Sequence, residues 1–107
     1  MPAARFLVIW ELPKDPEAFD RHYREIHIPL ALKLPGLLRY TVSRSQTPVR
    51  GDPPYIVGEL EWSDLDALRA AFASPEGRAT AADVNELSAN AAVRSLIYEA
   101  LDASDLS

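Results

Sequence analysis

Cysteine is absent from the 107 residues, which excludes disulfide staples, thiolate catalysis, iron–sulfur clusters and zinc fingers. The same absence fits a reducing compartment, and a cytoplasmic location is expected. Glycine is scarce: the four glycines form no phosphate-binding loop, and none of the eight serines stands in a nucleophile elbow, so nucleotide and acyl-enzyme chemistry drop out. Long apolar runs are missing too. Phe6-Leu7-Val8-Ile9-Trp10, closed by Glu11, is about a quarter of a membrane span and has no small-residue cleavage site behind it. No membrane partner and no signal peptide are expected. A basic stripe is also lacking: residues 1–54 carry eight Lys or Arg against six Asp or Glu, and residues 55–107 carry three against ten. Phosphate backbones need clustered cations, so no nucleic acid partner is expected.

What remains is a chain that is 48% hydrophobic and 25% charged, the balance of one globular domain with a core but no room for a separate cofactor domain. Residues 1–107 are read as a single domain, with residues 101–107 a frayed acidic tail. Residues 5–11 are aromatic and β-branched and read as a strand, followed by Asp15-Pro16-Glu17, an N-cap with proline at the first helical position. From Phe19, a phase of about 100° per residue gathers Phe19, Tyr23, Ile26, Leu30 and Leu34 into one stripe. Pro29 has no N–H and disfavours helical geometry at Ile28, so a kink or restart is expected there, loosening carbonyls near Glu25. Pro35-Gly36 ends the helix.

Residues 37–45 and 55–62 read as strands joined by the turn-rich loop 47–54. Ser63-Asp64-Leu65-Asp66 resembles a capping box opened by Ser63, and Ser74-Pro75-Glu76 caps a helix reaching about Leu87. A last strand covers 92–100. The order is βαββαβ with an extra helix, an α+β, ferredoxin-like domain with a four-stranded antiparallel sheet and helices on one face. The first strand nevertheless has apolar residues on both alternations, Phe6, Val8 and Trp10 on one side and Leu7 and Ile9 on the other. The uncovered apolar face predicts a homodimer through sheet-to-sheet packing.

The only two histidines, His22 and His27, lie five apart, which on a regular helix separates them by about 140° and sets them on opposite flanks of the stripe. Metal ligands on one helix want a spacing of three or four, so no metal site is expected. His22 reads as a boundary residue half in water. His27, beside the Pro29 irregularity, reads either as an acid/base group or as a structural donor to loosened carbonyls. Tyr23 and Tyr40 read as core packing whose hydroxyls find a partner, or as groups that orient a ligand. Asp83 shares a line with Ala79 and Leu87 that would turn it inward, where it could pair with a histidine. A competing phase through Thr80, Val84 and Leu87 would turn it to solvent.

The run Phe19-Asp20-Arg21-His22-Tyr23-Arg24-Glu25-Ile26-His27-Ile28-Pro29-Leu30, then Leu34-Pro35-Gly36-Leu37 and Tyr40, resembles the EthD family of the dimeric α/β-barrel superfamily. Phe72-Ala73-Ser74-Pro75-Glu76 and Ala82-Asp83-Val84 extend the likeness over most of the chain. The resemblance implies a ferredoxin-like protomer, a dimer whose two sheets form a barrel, and a pocket between sheet and helices. Two functions follow as expectations. One is a cofactor-independent enzyme of isomerase, cyclase, decarboxylase or monooxygenase type. It would act on a small apolar, aromatic or polyketide-like compound, with His27 as acid/base and Tyr23, Tyr40, Asp83 and His22 contacting substrate. The other is a non-catalytic binding or accessory protein in an oxidative catabolic pathway. Haem binding through one axial histidine suits the superfamily, but so short a chain leaves little volume for it, and no cofactor is expected.

Overall fold

The computed structural model describes residues 2–106. Strand β1 (Ala4–Trp10) runs through the middle of a four-stranded sheet, with β2 (Arg39–Val42), β3 (Ile56–Trp62) and β4 (Val93–Glu99) arranged in the order β2-β3-β1-β4. Every pairing is antiparallel, and the register sets Val8 between Gly58 and Ser95. β1 is apolar on both alternations, although the helices cover only one of its faces. Ala4, Val8 and Trp10 are buried toward the helices, whereas Leu7 and Ile9 stay partly open on the other face.

The strand expected over 37–45 is shorter, Arg39–Val42. Its end has a local cause: the Ser43 hydroxyl accepts the Val57 N–H at 2.9 Å, so a side chain takes over a bond the backbone ladder would otherwise make. On the helical side, Asp15 caps α1 (Pro16–His22) by accepting the Ala18 N–H at 3.2 Å. The chain then widens into one π-helical turn over Tyr23–His27 before α2 (Ile28–Ala31). The restart expected at Pro29 is present as α2, but Ile28 itself is helical, at φ −58° and ψ −47°, rather than pushed out of helical geometry. The strain is relieved one turn earlier: the Ile28 N–H bonds back five residues to the Tyr23 carbonyl, and the wider turn makes room for a ring that cannot donate.

Helix α3 (Leu65–Ala73) is capped by Asp64, whose Oδ1 accepts the Ala67 N–H at 2.8 Å; the box expected from Ser63 is therefore displaced by one residue. Ser74 joins α3 to α4 (Pro75–Ser88), accepting the Gly77 N–H at 3.0 Å and donating to the Ala71 carbonyl at 2.6 Å. Gly77 sits hard against the end of α3. A Cβ there would lie 2.5 Å from the Phe72 carbonyl oxygen and closer still to that of Ala71.

Trp10, Trp62, Phe19 and Leu68 form the fully buried centre between sheet and helices. Phe19 meets the Trp10 ring edge-on at 5.2 Å, and the Trp62 indole N–H donates to the Pro35 carbonyl at 2.9 Å. Gly36 takes φ +72° in the turn above it, a conformation that suits glycine. In the terminal segment, Ala103–Leu106 form a single exposed 3-10 turn. Among the described residues, no helix is long and apolar enough to cross a membrane.

Candidate functional site

The π-turn changes which side chains share a face. A bond spanning five residues stacks positions 22 and 27 much as an ordinary helix stacks residues four apart. The two histidines therefore do not diverge, as uniform helical phase implied, but converge on Asp83 of α4. His22 Nε2 lies 2.7 Å from Asp83 Oδ1, and His27 Nδ1 lies 2.8 Å from Oδ2. An ionised carboxylate only accepts, so each facing ring nitrogen carries the hydrogen and donates. His27 is thereby fixed with its hydrogen on Nδ1 and a lone pair on Nε2.

Nε2 makes no hydrogen bond, yet no fully buried side-chain nitrogen or oxygen among the described residues lacks a partner. It therefore reaches open space, and that space is a cavity of about 320 Å³ between sheet and helices, which His27 lines. His27 is only 5% exposed. Burial holds its imidazole below the usual histidine range, against the opposing hydrogen bond and charge of Asp83. The ring is thus kept neutral, a base rather than a cation.

The cavity wall is mostly aromatic and aliphatic: Phe6, Val8, Trp10, Ala31, Leu34, Leu60, Phe72 and Val84. Tyr23 stacks on His27 at 5.3 Å, and its hydroxyl meets that of Tyr40 at 2.6 Å. Gly58 lies beneath this pair, where a Cβ would stand 3.5 Å from the Tyr23 oxygen. Burial raises both phenols above their usual range, Tyr40 the further, so both keep their protons at neutral pH. Two hydroxyls sharing one hydrogen bond use one hydrogen between them, and the second O–H remains a donor at the cavity wall.

Of the residues singled out from sequence, His27, Tyr23 and Tyr40 line this cavity, while His22 and Asp83 stand behind His27 and do not. Of the two phases weighed for α4, the inward one holds for Asp83, which is buried and not turned to solvent. Asp83 turns inward to the histidines, and Thr80 and Val84 turn to the cavity. His27 uses Nδ1 on Asp83 rather than on a loosened carbonyl. Phe6 and Phe72, edge-to-face at 4.9 Å, are wall residues that sequence reasoning did not single out, since only the joint placement of β1 and α3 brings them to the cavity. Among the described residues, no three His, Asp or Glu side chains are arranged to hold a metal ion.

The family model described as the EthD domain matches residues 12–90. An uncharacterized 11.0 kDa protein from the thcB–thcC intergenic region of Rhodococcus erythropolis is 37% identical over 82 residues, spanning 75% of this chain and 79% of that one. Among solved structures, an ethyl tert-butyl ether d (EthD) family protein from Bacillus halodurans superposes with a TM-score of 0.82 at 29% identity, covering 92% of this chain and 99% of the other. SnoaB, a cofactor-independent oxygenase from Streptomyces nogalater, gives 0.70 at 20% identity over 95% and 96% of the two chains. A dimeric ferredoxin-like protein from Thermobifida fusca gives 0.68 at 15% identity over 92% of each. The last two likenesses concern the fold.

Proposed function

This chain belongs to the EthD family, and on that premise we propose that it is a cytoplasmic, cofactor-independent enzyme that moves a proton on a small aromatic or polyketide-like carbonyl compound. The observation that carries this reading is His27: Nδ1 is held by a buried carboxylate at 2.8 Å while Nε2 opens, unpartnered, into an apolar cavity. A base needs a free lone pair, a fixed orientation and a pKa that leaves it neutral, and His27 has all three. A cavity of about 320 Å³ is at the small end of ligand pockets, fit for an aromatic body of about two rings.

Nε2 takes the proton from a carbon next to the carbonyl. The electron pair of the C–H bond flows into the carbonyl oxygen, whose developing charge accepts a hydrogen bond from the spare hydroxyl of the Tyr23–Tyr40 pair, which keeps its proton. Return of the proton to another carbon or to the oxygen completes an isomerisation, with no oxidant or reductant consumed. Asp83 acts as a positioning residue. The protein works as a homodimer through the uncovered sheet face, in keeping with the dimeric ferredoxin-like relative.

The test is hydrogen–deuterium exchange at the α-carbon of 2-tetralone, an enolisable two-ring ketone, followed by proton NMR in D2O. The protein is expected to accelerate exchange, and His27→Gln to remove about 10²-fold or more of that acceleration. If 2-tetralone binds but exchanges at the buffer rate, the protein is a non-catalytic binding or accessory protein and the base assignment fails.

A further inference from the structure

Tyr23 faces open space on two sides. Besides the cavity beside His27, it lines a second hollow of about 380 Å³ at the other end of the helix–sheet seam, walled by Arg24 on one side and by Ser43 and Arg44 on the other. The chemistry of this hollow is unlike that of the first. Its one carboxylate, Asp20, already accepts the Tyr55 hydroxyl at 2.9 and 3.0 Å. Its two guanidinium groups make no ion pair and no hydrogen bond among the described residues. The Ser43 hydroxyl accepts from Gln46 Nε2 at 2.6 Å and from the Val57 N–H at 2.9 Å, so its own hydrogen has no acceptor. Donors and positive charge are in excess, and what is missing is an oxyanion.

We propose that this hollow is an anion subsite and that the substrate is an aromatic carboxylate, its rings beside His27 and its carboxylate across Tyr23, between Arg24, Arg44 and the Ser43 hydroxyl. The proposal rests on the first cavity being a ligand site and narrows the class of ligand. It also assigns a role to the positive balance of the first half of the chain, which carries eight Lys or Arg against six Asp or Glu. Two free guanidinium groups attract an anion before it docks and hold it once water is displaced.

Two probes with the same rings separate charge from shape: 2-naphthylacetate and the neutral 2-naphthylacetamide, titrated by calorimetry. The carboxylate is expected to bind about tenfold more tightly than the amide. Arg24→Gln combined with Arg44→Gln should abolish that preference while leaving amide affinity unchanged, and Arg44→Glu should reverse it. Both arginines are exposed, so these variants leave the core intact. Equal binding of the two probes, untouched by the arginine variants but blocked by Ala81→Phe at the cavity mouth, would overturn the anion subsite and leave the cavity standing. Failure of both probes to bind, or binding indifferent to Ala81→Phe, would overturn the cavity as a ligand site as well.

Discussion

His27 is a buried imidazole whose protonation is opposed by burial and favoured by Asp83, and burial dominates. In the unfolded chain it titrates near the usual value of about 6.5. Between that value and its lower folded one, the unfolded chain binds more protons, so stability rises with pH through this window and is lost as pH falls through it. A base must be neutral, so activity should climb along an acid limb set below 6.5 and stay flat through neutrality. Asp83→Asn tests the positioning role separately from fold. It removes the interaction that raises the His27 pKa, so the acid limb should move to lower pH, while the plateau falls about 10²-fold because the amide no longer fixes the hydrogen on Nδ1. A pH–rate profile reads both; an unmoved limb would make Asp83 merely structural. His27, Asp83 and both tyrosines were legible as candidates from helical phase and residue type. The two-histidine contact with one carboxylate was not, because a constant angle per residue is wrong across a single π-turn. Nor was the Tyr23–Tyr40 bond, since nothing in local sequence aligns a helix residue with one on β2.

At the scale of elements, strand alternation, the Asp15-Pro16 and Ser74-Pro75 starts and the Pro35-Gly36 stop were readable because each reflects local sterics or capping. The ends of β2 and the start of α3 were not, because side chains there compete with backbone for the same hydrogen bonds. The junction of α3 and α4 is the tightest test. Gly77→Ala pushes a methyl into the Ala71 and Phe72 carbonyls, neither of which can move without unwinding the end of α3. A loss of about 1–3 kcal/mol is expected, read as a lower urea midpoint with an unchanged slope. Because Gly77 and Thr80 also line the cavity, the same shift should weaken ligand binding.

At the scale of the molecule, the face of the sheet away from the helices is the feature to be tested. Leu7 pairs across β1 and β4 with Leu96, which is 48% exposed, and Ile9 lies two residues further along. Around them Arg5 bridges to Glu59 at 3.4 Å and to Glu61 at 3.2 Å. An apolar centre within charges of both signs can meet its own copy about a twofold axis. Sedimentation should give twice the 11.8 kDa chain mass, and Leu7→Glu should give the single chain. A wild-type monomer at micromolar concentration would remove the dimer. The His22–Asp83–His27 row also spans the protein from outside to inside. His22 is 31% exposed and His27 is sealed in, with one carboxylate bonded to both. One carboxylate thus ties a ring that meets solvent to a ring that faces the cavity, so a change at the surface, such as loss of the outer imidazole, is felt at the inner one.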